Sequence, residues 1–298
     1  MNIKITKYDI CTYVINLKRC KHKKEFISNQ LEKTGINHFN IIKATDAKQF
    51  TDDYINNLDE SIILKIYKDW ILKNKEQRGH FGCSLSHYNV LNKFINNHNE
   101  KYLLVFEDDC FIIDNFLEEL LKILNEHINL DYDLLLGGYN CDSDYFKNPE
   151  HCKLNKNYVE LKSDLKYKLR KIHYFIGTHC YIINRNKATK ILKDLLPHRW
   201  CIDHQLSSFI KEKNYNIYGI FEPIAFSQGD NIITEFNYKN KVNWKFGSQT
   251  QSNTNKECFT DLNNKFKLKN FLMPIIIIII FIVFLYLLLK KYNKLLNK

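Results

Sequence analysis

The stretch 102–110 constrains the possible fold of this chain more than any other feature of its sequence. It reads Tyr-Leu-Leu-Val-Phe-Glu-Asp-Asp-Cys, so an apolar run leads directly into three consecutive carboxylates, Glu107, Asp108 and Asp109. An apolar run of this length predicts a strand that is buried on both faces, as in a parallel sheet. In open α/β sheets, ligands bind beyond the carboxyl ends of the strands. The acidic end of this strand is therefore a candidate functional site.

Three adjacent carboxylates repel one another, and they favour protonation or local unfolding unless a cation joins them. Hard oxygen ligands of this kind favour magnesium, manganese or calcium. The alternative is a solvated acidic turn before the next helix, with Asp114 or Asn115 as the cap of that helix. The stretch by itself leaves both interpretations open.

Strand-like and helix-like segments alternate along most of the chain. The predicted strands are residues 12–17, 38–42, 102–106, 131–136, 172–184 and 216–221, and the predicted helices are 23–33, 53–75, 116–127 and 187–195, with further helices that begin near 84 and 200. Residues 139–171 are polar and rich in lysine, which predicts a loop over one edge. The alternation predicts an α/β fold with a mostly parallel sheet.

A glycine-containing segment precedes the acidic strand. Gly79 and Gly82 allow the backbone an unusual turn or a close approach to a ligand, and Ser84 is predicted to be the N-cap of the helix that follows. A helix that starts in this way offers free backbone N–H groups to an anion. The alternative is a connecting loop in which His87 is purely structural, and the motif alone does not separate the two.

Two further segments carry candidate site residues. The helix that opens near 200 has Asp203 and His204 in its first turn, and the last predicted strand leads into Glu222. An aspartate at a helix start is also a favourable cap, so Asp203 has a structural explanation as well.

The bulk composition restricts the class of partner. A chain of 298 residues with 45% hydrophobic composition can bury one large core or two modest ones. The net charge of +11 comes from scattered lysines, and no zinc-finger spacing, helix-turn-helix pattern or RNA-binding aromatic motif accompanies it, so no nucleic-acid partner is predicted. Nine cysteines without a C-x-x-C pair favour a reducing compartment.

The last part of the chain predicts a membrane anchor. Residues 271–289 are nineteen residues without a charge, including six consecutive isoleucines, and this length matches a bilayer span. A polar linker is predicted at 236–270 and a short basic tail at 290–298. Since the first residues lack the apolar core of a secretion signal, we expect domain 1–235 to face the cytosol, tethered by a C-terminal single-pass helix.

Several motifs occur in a particular order over residues 12–230. They are Tyr13-Val14-Ile15-Asn16-Leu17 with Arg19, Gly82-Cys83-x-Leu85-Ser86-His87, Leu104-Val105-Phe106-Glu107-Asp108-Asp109, Gly177-Thr178-His179-Cys180-Tyr181 with Ala188 and Leu192, Asp203, and Pro223-Ile224-Ala225 with Gln228. In this order and spacing they resemble glycosyltransferase family 25, which contains bacterial lipopolysaccharide glycosyltransferases and the collagen galactosyltransferases.

The resemblance implies a GT-A type fold and an inverting, metal-dependent transfer from a nucleotide sugar, with a UDP-sugar of galactose type favoured. The implied acceptor is a glycan, a lipid-linked glycan or a protein, and the implied cofactor is Mn²⁺ or Mg²⁺. Asp109 is the implied metal ligand, with Glu107 on the metal or on the ribose. The implied general base is Asp203, with Glu222 and His204 as the next candidates. The implied donor-binding residues are Asn16, Arg19, Gly82, Ser86, His87, Glu107 and Asp108.

The chain departs from the family pattern at two places. Members often carry an acidic residue where His80 stands, and a second arginine where this chain offers Lys23 or Lys24. Lysine neutralises a phosphate but lacks the bidentate fork of arginine. Two hypotheses therefore remain, an active membrane-tethered glycosyltransferase and a degenerate transferase fold that acts as a membrane-anchored binding or scaffold module.

Overall fold

The computed structural model describes residues 4–140, 161, 163, 165–221 and 223–227. Glu222, Gln228 and the predicted linker, transmembrane helix and basic tail lie outside the described residues. The chain divides into two compact units, Met1–Asn243 and Trp244–Lys298, and every described residue belongs to the first. Within these ranges no helix has the length and apolar character needed to cross a membrane.

The described elements alternate much as the sequence predicts. The strands are β1 (Ile10–Asn16), β2 (Asn40–Lys43), β3 (Tyr102–Glu107), β4 (Cys110–Ile112), β5 (Leu134–Asn140), β6 (Lys168–Lys171), β7 (Ile176–Asn184), β8 (Ile217–Phe221) and β9 (Ala225–Ser227). The helices are α1 (Lys21–Lys33), α2 (Asp52–Asn56), α3 (Lys65–Lys73), α4 (Arg78–Asn97), α5 (Phe116–Glu126), α6 (Arg185–Asp194) and α7 (Ile202–Glu212).

Seven of these strands form one mixed sheet in the order β2-β1-β3-β7-β5-β8-β6. β1 pairs in parallel with β2 and β3, and β5 pairs in parallel with β8. β7 is antiparallel to both of its neighbours, and β6 is antiparallel to β8. Five strands therefore share one direction, which confirms the largely parallel α/β prediction. The reversed β7 brings its amino end to the edge where β1 and β3 have their carboxyl ends.

The strand predicted from the apolar run is buried on both faces. Leu104 and Phe106 of β3 pack into a core with side chains of α1 and α5. Leu103 and Val105 point the other way, into a core with side chains of α4, α6 and α7. Each fully buried side chain of this size contributes about 1.5–3 kcal/mol, so β3 is a stable frame for the carboxylates at its end.

The helix predicted over 53–75 is wrong as a single helix. It is divided into α2 and α3 because the backbone between them pairs with a distant segment. Leu64 N–H donates to the carbonyl of His198 (2.9 Å), and His198 N–H donates to the carbonyl of Ile62 (2.8 Å). α2, α3 and the start of α4 enclose a third, smaller core.

The strand predicted to end at Gly137-Gly138 continues through both glycines. A Cβ at Gly137 would lie 2.7 Å from Cys180 Sγ, and one at Gly138 would lie 2.5 Å from His179 Nε2. The glycines therefore allow β7 side chains to approach β5 closely, and they do not form a turn. The short strands β4 and β9 pair with each other, and β6 lies in the stretch predicted as a loop.

The cysteines are partly as predicted. Among the described residues, the thiols that are free and wholly buried are Cys11, Cys110 and Cys180. Cys20, by contrast, is disulfide-bonded, which the expectation of a reducing compartment did not anticipate.

Candidate functional site

The acidic cluster, defined here as Glu107, Asp108 and Asp109, lies where several elements converge. The cluster follows directly from the end of β3. Around it lie Asn16 at the end of β1, Lys23 near the start of α1, His87 of α4 and Thr178 near the start of β7. Elements far apart in the sequence thus supply the side chains of one site.

Asp108 and Asp109 face the β1 and α1 side of the cluster. Asn16 Nδ2 donates to Asp108 Oδ2 at 2.7 Å. Lys23 Nζ lies 3.5 Å from Asp108 Oδ1 and 3.4 Å from Asp109 Oδ2. Burial raises the pKa of both aspartates, and the nearby ammonium of Lys23 only partly counteracts it. Lys23 is therefore a cation that joins these acids, but it does not compensate their full charge.

Glu107 is held by residues of α4 and β7. Its Oε1 accepts a hydrogen bond from Thr178 Oγ1 at 2.9 Å and lies 3.3 Å from His87 Nε2. Burial raises the pKa of Glu107, but the hydrogen bond and charge of His87, with the charge of His179, outweigh burial and hold the pKa well below its usual range. The contacts with Thr178 and His87 both involve Oε1, and they hold the Glu107 side chain in place. The lowered pKa means that this side chain is ionised.

His87 lies behind Glu107. Only 1% of its surface is exposed. Its Nδ1 is 2.8 Å from the hydroxyl of Tyr181, and its Nε2 faces Glu107 and Thr178. These contacts fix His87 behind Glu107, and the donor contact implied by the resemblance stays a prediction.

The prediction of a turn at Gly79 and Gly82, followed by a helix capped by Ser84, is wrong. Both glycines lie inside α4, and Ser84 Oγ donates to the carbonyl of His80 within the helix (3.0 Å). A Cβ at Gly82 would come 2.8 Å from the carbonyl oxygen of Thr45. Gly82 therefore allows close packing of α4, and the predicted anion site at a helix start is not formed there.

Ser86 belongs to the same packing contact. Its Oγ donates to the carbonyl of Gly82 at 2.7 Å and accepts from Thr45 N–H at 2.8 Å. One turn of α4 thus fixes the loop that follows β2. In that loop, Asp46 forms an ion pair with Arg19, the arginine predicted to bind the donor.

Asp203 joins the site through β7. Its Oδ2 accepts from Gly177 N–H at 2.9 Å, and its Oδ1 accepts from His204 N–H at 2.8 Å. Gly177 has φ +86°, which favours glycine. Gly177 and Thr178 are consecutive, so adjacent residues of β7 hold Asp203 and Glu107 in one site. His204 Nδ1 is 3.2 Å from the hydroxyl of Tyr174.

His179 is a site residue that the sequence did not identify by itself. It is 3% exposed, and its Nε2 has no hydrogen-bond partner among the described residues. Its ring lies against β5, where a Cβ at Gly138 would come 2.5 Å from Nε2. The paired glycines of β5, which make room for this ring, were the available signal.

Metal-ligand chemistry is available at this edge. In the described ranges, ligand atoms within 4.8 Å of one another occur in Cys83–His87–Glu107, Cys201–Asp203–His204 and Cys11–His98–Glu100. The first two groups belong to the site, and the third lies near the amino end of β3. The acidic cluster adds hard oxygen donors with more negative charge than Lys23 neutralises, which fits a divalent cation.

Comparison with known proteins agrees with the motifs. The profile of glycosyltransferase family 25 (LPS biosynthesis protein) matches residues 9–206. Human procollagen galactosyltransferase 2 is 31% identical over 128 residues, which cover 42% of this chain and 20% of the relative. A glycosyltransferase 25 family member from Aedes aegypti is 28% identical over 127 residues, with the same shares of 42% and 20%. The chain thus spans about a fifth of the length of these curated relatives.

A comparison of solved structures gives a weaker likeness. A Bacillus anthracis protein assigned as a glucose-1-phosphate thymidylyltransferase, in complex with a sucrose, aligns at 11% identity over 80% of this chain and 98% of that chain. The TM-score is 0.37, which is too low to carry an argument.

Proposed function

Because the chain belongs to glycosyltransferase family 25, we propose that it is a glycosyltransferase of the GT-A type that moves a sugar from a nucleotide sugar to an acceptor hydroxyl. The proposed donor is a UDP-sugar of galactose type, and the support is the name of the human relative. The proposed acceptor is a glycan, a lipid-linked glycan or a protein.

One observation carries this proposal: two consecutive residues of β7 each donate a hydrogen bond to a different carboxylate. Thr178 donates to Glu107 at the end of β3, and Gly177 donates to Asp203 at the start of α7. Glycosyl transfer needs one group that stabilises the departing nucleoside diphosphate and another that takes a proton from the acceptor. Two separately held carboxylates at one sheet edge suit this division.

On the donor side, we assign the binding of the nucleotide to Asn16, Arg19 and the acidic cluster. A Mn²⁺ or Mg²⁺ ion held by Asp109 and Glu107 would neutralise charge that develops on the leaving diphosphate. Lys23 and Asn16 orient the aspartates for this role. Gly82, Ser86 and His87 shape the site from behind through their contacts inside the protein.

On the acceptor side, Asp203 accepts the proton of the acceptor hydroxyl. The hydroxyl oxygen forms a bond to the anomeric carbon while the bond from that carbon to the diphosphate oxygen breaks, and its electron pair leaves with the diphosphate. Configuration is inverted. The N–H groups of Gly177 and His204 orient Asp203 for this step. His204 and Glu222 are the second candidates for the base.

UDP release in the presence of Mn²⁺ tests this function, with a panel of UDP-sugars and purified full-length protein. We expect release from at least one donor and a fall of about 10³-fold in Asp109→Asn. Asp69→Asn is the matched control, because Asp69 is exposed on α3, and it should match the wild type. A wild type that releases no UDP from any donor, and that Asp109→Asn does not alter, would contradict the proposal.

One observation favours the scaffold hypothesis as a second candidate. The ammonium of Lys23 lies within 3.5 Å of carboxylate oxygens on both Asp108 and Asp109, where it competes with a metal ion. Thermal shift with UDP and Mn²⁺ separates the two, since a donor site is stabilised by its ligand and a scaffold is not. The control is Lys24→Met, because Lys24 is exposed. If UDP and Mn²⁺ stabilise Lys23→Met but not the wild type or Lys24→Met, the ammonium of Lys23 takes the place of the metal ion.

We also propose that residues 271–289 tether the enzyme to a membrane, with the catalytic domain on the cytosolic side. The support is the uncharged stretch itself. Carbonate-resistant sedimentation of the full chain with membranes, lost when residues 265–298 are deleted, is the expected result. Sedimentation that is unchanged by the deletion would contradict the tether.

A further inference from the structure

An exposed aromatic surface lies beside Asp203. We call it the tryptophan platform and define it as Trp70, Trp200, Tyr174 and His204. Trp200 is 41% exposed and Tyr174 is 38% exposed, which is unusual for such large rings. The rings of Trp70 and Trp200 are stacked, with centroids 5.0 Å apart and planes 28° apart.

The platform is held rigidly from below. Tyr67, which is 1% exposed, lies with its ring 5.9 Å from that of Trp70 and 6.0 Å from that of Trp200. Phe81 packs edge-on against Tyr67 at 6.2 Å. The backbone pairing of His198 with Ile62 and Leu64 fixes the segment just before Trp200. A rigid aromatic surface loses little entropy when a ligand binds to it.

The platform is continuous with the proposed acceptor side of the site. The ring of His204 meets Trp200 at 90° with centroids 6.2 Å apart, and its backbone N–H donates to Asp203. Tyr174 is connected to the same histidine through its hydroxyl. Trp200 is therefore linked to the carboxylate proposed as the base through one residue, His204.

A buried polar group lies beneath the platform. The hydroxyl of Tyr67 is buried and has no hydrogen-bond partner among the described residues. Burial raises the pKa of Tyr67, and the neighbouring Cys201, Cys83 and Asp203 raise it further. Buried hydroxyl groups normally have a partner, and an ordered water beneath the indoles would supply one.

We propose that the tryptophan platform binds a sugar ring of the acceptor, stacked on Trp200, so that a ring hydroxyl reaches Asp203. A pyranose has an apolar C–H face and a polar rim, which matches a flat indole bordered by a carboxylate, an imidazole and a phenol. The acceptor class is then a glycan or glycoside. This inference rests on the proposed transferase function, which it deepens by naming the acceptor.

The test measures binding and turnover separately in the full-length protein. Titration calorimetry with lactose and cellobiose measures binding without any donor, and a serine-containing octapeptide is the alternative probe. Transfer to the disaccharide and UDP release without acceptor are measured in parallel. The variants are Trp200→Ala, Trp200→Phe, and Tyr54→Ala as a control at an exposed tyrosine on α2.

We expect Trp200→Ala to weaken disaccharide binding and raise the acceptor KM by about tenfold. UDP release without acceptor should stay unchanged, Trp200→Phe should restore most of the binding, and Tyr54→Ala should match the wild type. Because calorimetry needs no turnover, disaccharide binding that depends on Trp200 supports the platform even if the wild type releases no UDP and the transferase proposal fails.

Four results would overturn the platform. One is an unchanged disaccharide affinity in Trp200→Ala. Another is an equal loss of UDP release, which would place Trp200 on the donor side or in the folding core. A third is binding of the octapeptide alone, which would make the acceptor a peptide. The fourth is a change only in oligomeric state, which would make the surface a contact between copies of the chain.

Discussion

The two ends of β3 carry nearly the same set of side chains. At the carboxyl end, Glu107 lies 3.3 Å from His87, which contacts the hydroxyl of Tyr181 at 2.8 Å. At the amino end, Glu100 lies 3.5 Å from His98, which contacts the hydroxyl of Tyr13 at 2.8 Å. Each histidine also has a nearby cysteine, Cys83 at one end and Cys11 at the other.

The surroundings of the two sets differ. Glu107 is followed by two more partly buried carboxylates, and Lys23, His179 and Asp203 converge on the same edge. Glu100 is followed by Lys101, whose ammonium pairs with Asp9 at 3.1 Å. The side chain of His98 is 20% exposed, compared with 1% for His87. The same four residue types therefore occur at both ends and do not by themselves define a site. What distinguishes the carboxyl end is that several elements converge on it.

The largest expected difference is between the two glutamates. Glu107→Gln should lower UDP release by about 10²-fold or more, because a charge at the reacting edge is lost. Glu100→Gln should change UDP release by less than about twofold, because it lies at the other edge of the sheet. Initial rates for both variants, with circular dichroism to confirm folding, test this. Equal losses in the two variants would remove the distinction between the ends.

Replacing the histidines should give the next largest difference. His87→Leu removes the donor that orients Glu107, and losses of about 10–100-fold are usual for residues that orient a site ligand. His87→Gln keeps an N–H donor and should recover part of the rate. His98→Leu should be silent in this assay. The Mn²⁺ concentration for half-maximal rate should rise in His87→Leu only, a readout that simple destabilisation would not move.

The tyrosine hydroxyls behind the histidines should have a smaller effect. Tyr181→Phe removes the partner of His87 and should reduce UDP release by about tenfold or less, since a net hydrogen bond is worth about 1 kcal/mol. Tyr13→Phe removes the equivalent partner of His98 and should leave the rate unchanged. A rate loss in Tyr13→Phe that matches Tyr181→Phe would show that the hydroxyl acts through the sheet as a whole.

The smallest effect concerns stability at the amino end. The His98–Glu100 pair is partly exposed, and pairs of this kind contribute about 0–1 kcal/mol. Glu100→Gln should therefore change the free energy of unfolding by less than about 1 kcal/mol in urea titration. A larger loss would mean that this end has a structural role that its exposure does not indicate.

The fold was predictable where the determining signal is local. The apolar run that predicts β3 and the helical periodicity that predicts α5 are each contained in one short stretch of sequence, and both predictions are correct. The position of the acidic cluster at a strand end followed from the same run. The division of 53–75 was not predictable, because it depends on backbone pairing with His198, far away in the sequence.

The sequence predicts which carboxylates form the candidate site, but it does not predict which side chains contact them. Three consecutive carboxylates imply a cation, but only packing shows that Lys23 lies beside two of them. A glycine in the sequence can mean either a turn or close packing. At Gly82 and Gly138 the reason is close packing, since a Cβ at either position would clash with its neighbours. The roles predicted for Asp109 as metal ligand and Asp203 as base remain predictions for the variants above.

The reversed strand at the centre of the sheet also affects how the chain can be made. The second neighbour of β3 is β7, so during synthesis one backbone edge of β3 stays unpaired until residues 176–184 have left the ribosome. Unpaired strand edges recruit other chains. A fragment that stops before residue 176 is therefore expected to aggregate, and the full chain needs protection of that edge during translation.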